Sequence, residues 1–335
     1  MCNDGYLKGV STQREPASAA AAVAVHAALA ELPTGRWLLA VSGGRDSMVL
    51  LHAMARARGA EIAAVANFDH GTGAFARAAA VLVEEEAERL GLASVAGVAE
   101  PGLPFNEGAW RAARHAFLDA WATELDATVL TAHTRDDQIE TVVQRMLRDA
   151  GPRGLAGMRA EAKRRRPLLA VRRGEVAAYA RVHRVAFVDD PSNASLDFQR
   201  NRLRHEILPA LERAAPGFGD WCWALGERAA LWRESVDQVV ETLGATSPDG
   251  ATLVVPAAPL RGCGAAEWRV LWPALAARGG VVMDRRGIER ASDWAPRARA
   301  GQRIPLSGDA SIARTAATFV VKGTPAPVRD YILHQ

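Results

Sequence analysis

The sequence predicts an α/β protein: a parallel sheet sandwiched by helices, followed by a helical region and a small α+β C-terminal domain. Three observations carry that prediction. Short, continuously apolar runs recur as strands should when both faces of a sheet are covered. Each run is followed by a segment of helical period, which is the pattern of parallel strands joined by crossover helices. A glycine pair closes the first run and opens the next helix, where such sheets hold ligands.

At 335 residues the chain suits two domains, and 49% hydrophobic with 24% charged residues is the balance of a globular protein with a proper core. Residues 1–16 are polar, lack apolar periodicity, and are expected to be a disordered tail. The run Ala19–Ala30 reads as a surface helix, since it is mostly alanine and is led by Arg14 and Glu15 without a basic leader segment. Trp37–Val41 is the first strand, and helix 46–58 leads to a second strand at Ile62–Phe68. Helix 77–90 keeps Glu84, Glu85, Glu86 and Glu88 on its wet side, and Ser94–Val98 is the third strand. Helix 107–125, strand Thr128–Thr131 and helix 136–148 complete the alternation. The Gly/Pro-rich piece Asp149–Gly157 breaks it. Up to about residue 215 the pattern is helical, with one extended segment near Phe187–Val188. A long helix over 218–244, with Trp221, Leu225, Ala229 and Trp232 along one side, opens the last part, where Leu253–Val255 and Phe319–Val321 are short apolar runs. The expected domains are thus a catalytic domain over 17–217 and a C-terminal domain over 218–335.

Composition excludes several classes. No apolar stretch is long enough to span a membrane. Cys2, Cys222 and Cys263 are scattered, which argues against a disulfide framework, a structural zinc or an iron–sulfur cluster, and points to the cytoplasm. The net charge of +3 says little, but Arg159–Arg173 and Arg200–Arg204 are local basic runs that could neutralise phosphates or be a solvated arginine-rich surface.

The strongest motif is Val41-Ser-Gly-Gly-Arg-Asp-Ser47. Gly43 and Gly44 let backbone N–H groups approach an anion, the following helix aims its positive end there, and Ser42 and Ser47 add hydroxyls. Asp46 is out of place beside phosphate unless a Mg²⁺ ion lies between them. The Walker A spacing and its lysine are absent. Further along, Phe68-Asp-His-Gly71 ends a strand; Glu107, Arg111 and Arg114 share a helix face; and His133 leaves a strand, with Asp137 and Glu140 one turn apart on the following helix. Carboxylates there are ordinarily dipole partners of the helix, but a pair facing a crevice would suit a cationic amine.

Ser42-Gly-Gly-Arg-Asp-Ser47 resembles the signature of the PP-loop (N-type ATP pyrophosphatase) family, which has a Rossmann-like sheet and cleaves ATP between its α- and β-phosphates. The run from Thr131 to Met158, Arg166-Pro-Leu-Leu169 and the stretch 189–211 are similar to the tRNA(Ile)-lysidine synthetase family; the match runs in order from residue 36 to about 211. Residues 218–335 resemble that family's tRNA-contacting domain loosely. The resemblance implies ligation of lysine to C2 of the wobble cytidine of the isoleucine tRNA with a CAU anticodon, through an adenylated intermediate. It implies that Ser42, Gly43, Gly44, Arg45, Asp46 and Ser47 hold ATP, with Asp46 at Mg²⁺. It further implies catalytic roles for Asp46, Arg114 and His133, and a lysine site at Asp137 and Glu140. Arg164, Arg165, Arg166, Arg200, Asn201, Arg202 and Arg204 would contact tRNA, with a homodimer left open. The chain departs from the family pattern at Thr72-Gly73, His115 and Asp149. Rival expectations are a tRNA thiolase, disfavoured by the cysteine placement, and a non-catalytic RNA-binding protein on the same scaffold.

Overall fold

The structure is a computed structural model that describes residues 15–71, 73–99, 107–160, 164–189, 195–196, 199–248, 252–306 and 310–323. Residues 1–14 of the expected tail lie outside the described residues, while Glu15 and Pro16 open α1 (Glu15–Ala30). The chain divides into two compact units. Among the described residues, one holds the chain up to Leu147 together with Gly157–Ala224; the other holds Arg148–Ala156 and the chain from Leu225 to residue 323.

The first unit is a five-stranded parallel sheet in the order β3-β2-β1-β4-β5, built from β1 (Trp37–Ala40), β2 (Ile62–Asp69), β3 (Ser94–Val98), β4 (Thr128–Leu130) and β5 (Arg164–Arg165). The connecting helices are α2 (Arg45–Arg58), α3 (Ala74–Arg89), α4 (Glu107–Glu124) and α5 (Arg135–Leu147), each within a few residues of its sequence expectation. Side-chain alternation along β1 explains why its run is apolar throughout. Leu39 joins a core with Val49, Leu50, Val65 and Leu130, whereas Leu38 joins another with Ala64, Ala66, Phe117 and Val129. Both leucines are fully buried.

The segment expected to be extended near Phe187–Val188 is non-helical and ties to the loop after β1, Val188 N donating to Gly43 O at 2.9 Å. The fifth strand, which the sequence did not mark, is Arg164–Arg165, and it pairs with β4 through Thr131 N donating to Arg165 O at 3.0 Å. Two arginines at a sheet edge carry no apolar alternation, so pattern reading passes over them. Along the stripe expected on the long helix, Ala229 is buried and Trp232 packs against a core, but Trp221 needs correction: it is 48% exposed while its neighbours Cys222 and Trp223 are buried.

After α6 (Pro152–Leu155), which groups with the second unit, the chain forms α7 (Arg173–His183), α8 (Gln199–Arg202), a π-helical turn at Leu203–Ile207, α9 (Leu208–Ala214) and α10 (Phe218–Thr242). The division between units falls within α10.

The second unit is an antiparallel sheet, order β6-β9-β8-β7, of β6 (Thr252–Pro256), β7 (Arg303–Pro305), β8 (Ser311–Arg314) and β9 (Thr318–Lys322), with α11 (Ala265–Arg278) and α12 (Arg285–Trp294). The two apolar runs seen in the sequence pair directly, Leu253 with Val321 and Val255 with Phe319. Trp268 and Trp272 stack at 4.7 Å beside Phe319 in its core. Among the described residues no helix is long and apolar enough to cross a membrane.

One half-buried histidine cluster in the first unit, packed on the buried Tyr179, makes stability depend on pH. His52 and His183 lie 5.3 Å apart, and Tyr179 is 4.2 Å from His183 with its hydroxyl 3.1 Å from His52 Nδ1. Burial first, then His183 and Arg56, hold His52 below its usual value against the pull of Glu86, with Arg89 lowering it further; burial, Arg56 and His26 do the same for His183. The unfolded chain therefore binds more protons, and stability present above the free imidazole value of about 6.5 is lost as pH falls through it. The melting temperature is expected to drop between pH 7.5 and 5.5, and His52→Gln should flatten that slope. An unchanged slope would show the cluster to be indifferent to protonation.

Candidate functional site

Strand order fixes the place of the site. The chain leaves β1 toward β2 on one side, and leaves β4 toward β5 on the other. The loops at the carboxyl ends of β1 and β4 therefore part and leave a crevice. A cavity of about 370 Å³ lies there, with the loop after β1, the end of β2 and the chain after β4 as its walls.

The loop after β1 is locked from beneath. Val41 N donates to Ala66 O at 2.8 Å, and the buried Asn67 Nδ2 donates to Val41 O at 2.8 Å. Gly43 has φ +78°, and a Cβ there would lie 2.6 Å from Ala79 Cβ on α3. Only glycine fits both demands. Ser47 Oγ donates to Gly44 O at 2.9 Å and accepts from Ser42 N at 3.1 Å, so this hydroxyl holds the loop's shape. Gly44 begins α2 with no side-chain cap, which leaves the first-turn N–H groups at the cavity wall for an anion.

Asp46 lines the same wall. Burial raises its carboxyl above the usual value, Arg45 opposes this through Nε–H···Oδ1 at 3.1 Å, and the charge of Asp137 adds to the rise. Among the described residues no cluster of three acidic, histidine or cysteine side chains could hold a metal. Asp46 offers one carboxylate with one oxygen already engaged. That fits a magnesium ion carried mainly by phosphates and water.

Across the cavity stand Arg111, Arg114 and His115 of α4, together with His70 beyond β2. Burial, then Arg114, lowers His70. His133 Nδ1 lies 2.9 Å from Thr131 Oγ1; burial chiefly pulls its pKa down to about 4, despite Asp137, so the ring is neutral near pH 7.

Asp137 and Glu140, 7% and 1% exposed, stand on the first turns of α5. Thr134 N and Oγ1 both donate to Asp137 Oδ2 at 2.8 Å, so Asp137 closes the helix start in the manner of a capping box. Its other oxygen and both oxygens of Glu140 accept from Arg173, Arg200 and Arg204 at 2.8–3.2 Å. Burial pushes the Asp137 carboxyl up, but Arg173, Arg200 and the Thr134 amide outweigh it and hold the pKa at about 2. Glu140 is lowered as well, by Arg204, Arg173 and Arg200 against its burial. Both are ionised at neutral pH.

Arg173 escaped the sequence reading. It also lies 4.0 Å from Asp46 through Nε, and its backbone N donates to Asp136 Oδ2 at 2.7 Å. One signal was legible: it is the first residue of α7, where the helix dipole disfavours a cation, so its charge is there for another purpose.

The residues expected to contact tRNA do not form one surface. Arg165 and Arg202 are exposed. Arg164 is buried and paired with Asp119, and the buried Asn201 donates to Ser195 O at 2.8 Å. Arg166 donates to Met158 O at 2.9 Å at the cavity margin, and Arg200 with Arg204 turn toward Asp137 and Glu140. Thr72 lies outside the described residues.

A doubly covered parallel sheet with a glycine phosphate loop at its switch point defines a nucleotide-binding α/β protein. The sequence pattern of the PP-loop domain matches residues 18–211, and the chain belongs to that family. It is similar to the tRNA(Ile)-lysidine synthase of Xanthomonas campestris pv. campestris (strain 8004), 42% identical over 214 residues, covering 59% of this chain and 47% of that protein. The enzyme of the same name from Ralstonia nicotianae is 39% identical over 241 residues, covering 67% of this chain and 51% of its own length. The chain thus spans about half the length of the curated relatives it matches. Among solved structures, the U34-tRNA thiolase NcsA from Methanococcus maripaludis superposes with a TM-score of 0.53 at 16% identity, over 65% of this chain and 80% of that one. That likeness concerns the fold alone.

Proposed function

We propose that the chain ligates lysine to C2 of the wobble cytidine in the isoleucine tRNA with a CAU anticodon, consuming ATP. The observation that carries this is the adjacency of a phosphate loop and a buried, ionised carboxylate pair, bridged by Arg173 between Asp46 and Asp137/Glu140. Phosphate chemistry and a cation-binding site share one crevice, and relatives about 40% identical bear the matching name.

The C2 carbonyl oxygen would attack the α-phosphate, and the bond to pyrophosphate breaks. Loop N–H groups and Arg114 would meet the charge that develops on the phosphate oxygens. Magnesium, when bound with ATP, neutralises phosphate charge. Asp137 and Glu140 would then hold the lysine ε-ammonium; once it loses a proton, the amine attacks C2, the C–O bond breaks and AMP departs. Neutral His133 lets the amine approach without a repelling charge. The base must be unstacked to expose C2.

Incubation with ATP, radiolabelled lysine and total tRNA should place label in one isoleucine tRNA and release one AMP per lysine. Asp46→Ala should stop pyrophosphate release while leaving the circular dichroism spectrum unchanged. Label-free tRNA beside a folded, ATP-binding wild-type protein would refute the reading.

A further inference from the structure

Read as a lysine site, Asp137 and Glu140 present a contradiction: their charge is already answered. Arg173 Nη2 donates to Asp137 Oδ1 at 2.8 Å and to Glu140 Oε1 at 3.0 Å. Arg200 donates to the same two carboxylates at 3.0 Å each, through Nη2 and Nε. Arg204 Nε donates to Glu140 Oε1 at 2.8 Å, and its Nη2 reaches Glu140 Oε2 at 3.0 Å and Asp137 Oδ1 at 3.2 Å. Three guanidiniums on two carboxylates leave an excess of one positive charge. A substrate ammonium entering that nearly dry site would face repulsion, and no carboxylate oxygen would be left to receive it. A guanidinium has to leave first.

The three arginines are not equally free to go. Arg173 is tied through its own backbone to Asp136 and faces Asp46 as well. Arg200 and Arg204 are the more exposed pair, at 29% and 25% against 19% for Arg173. They stand one turn apart on a single short segment, where α8 passes into the π-helical turn Leu203–Ile207. A π turn carries an extra residue and marks a place where a helix can change phase. Exposed Arg202 sits between them. A phosphate oxyanion takes a guanidinium in the same forked geometry as a carboxylate does.

We propose that this segment is a cationic plug: Arg200 and Arg204 fill the amine site of the resting protein, and tRNA phosphates draw them out and so admit lysine. The inference rests on Asp137 and Glu140 being the lysine site. It gives Arg200 and Arg204 two partners in succession, the carboxylates and then the RNA backbone. It also orders the reaction, because the amine enters only when its acceptor is seated.

Calorimetry on the full chain with lysine, with and without saturating tRNA at low salt, tests it. Lysine should bind on the order of tenfold more tightly with tRNA present, and high salt should erase the gain. In Arg200→Gln and Arg204→Gln, lysine should bind RNA-free protein nearly as tightly as it binds the wild-type complex, with little further gain from tRNA. Equal lysine affinity in wild type with and without tRNA overturns the plug, as does weaker lysine binding in the variants. Should the variants unfold, the wild-type comparison decides alone. Transfer of labelled lysine to tRNA alongside RNA-independent lysine affinity would remove the plug and keep the site. Absence of both lysine binding and transfer would remove both.

Discussion

Gly43→Ala is expected to cost about 100-fold or more in pyrophosphate release and in ATP affinity while leaving a folded protein. Two independent effects act at this position. An L-residue at φ +78° is strained by about 1–2 kcal/mol. Its Cβ would also come within 2.6 Å of Ala79 Cβ and 2.9 Å of Ala79 Cα and O, and helix backbone cannot swing aside as a flexible side chain can. The loop must move instead, and its N–H groups move with it. Gly59→Ala is the matched control: φ is −52° and nothing lies within 4 Å of the added methyl, so it should be neutral or stabilise by about 0.5–1 kcal/mol. Calorimetric ATP affinity and melting temperature for the pair would decide the matter; unaltered ATP binding in Gly43→Ala would show that the loop does not grip the nucleotide.

The same contrast between local and long-range causes explains what could be read beforehand. β1, β2 and β4 were legible because each feeds both apolar layers and so carries a largely apolar run, whereas the edge strand β3 alternates exposed and half-buried residues and was legible from its place between two helical segments. The phosphate loop was legible because its demands are local: a turn, close backbone approach and a helix start. β5 was not, since Arg164 and Arg165 are held by register with Val129 and Leu130 and not by burial of an apolar face. The pairing of Arg200 and Arg204 with Asp137 and Glu140 joins residues some sixty positions apart in sequence, beyond the reach of any periodicity. Runs of arginine look alike in sequence whether they meet solvent, RNA or buried carboxylates. Here three fates are mixed within two short runs: Arg165 in solvent, Arg164 on Asp119, Arg204 on Glu140.

Glu140→Gln should combine a large loss of stability with a selective loss of lysine binding. Glu140 is 1% exposed, and each of its oxygens accepts from two guanidinium donors. Glutamine keeps the shape but turns one oxygen into an NH₂ group, and in either orientation that group faces two donors. The site also falls from two carboxylates to one against three arginines. Removing one partner from such a buried network costs about 3–5 kcal/mol, which corresponds to a melting temperature lower by roughly 10 °C. Asp137→Asn is a poorer probe, because Asp137 Oδ2 also accepts from Thr134 N and Oγ1, so its loss unpicks the start of α5 as well. The double variant Glu140→Gln/Arg200→Gln should recover part of the lost stability, since it withdraws one of the uncompensated charges. Neither substitution touches the loop that would hold ATP. The lysine KM should therefore rise while the ATP KM stays within about twofold. A melting temperature that falls with both KM values unmoved would make this carboxylate a structural counter-ion, and the amine site would have to be sought elsewhere in the crevice.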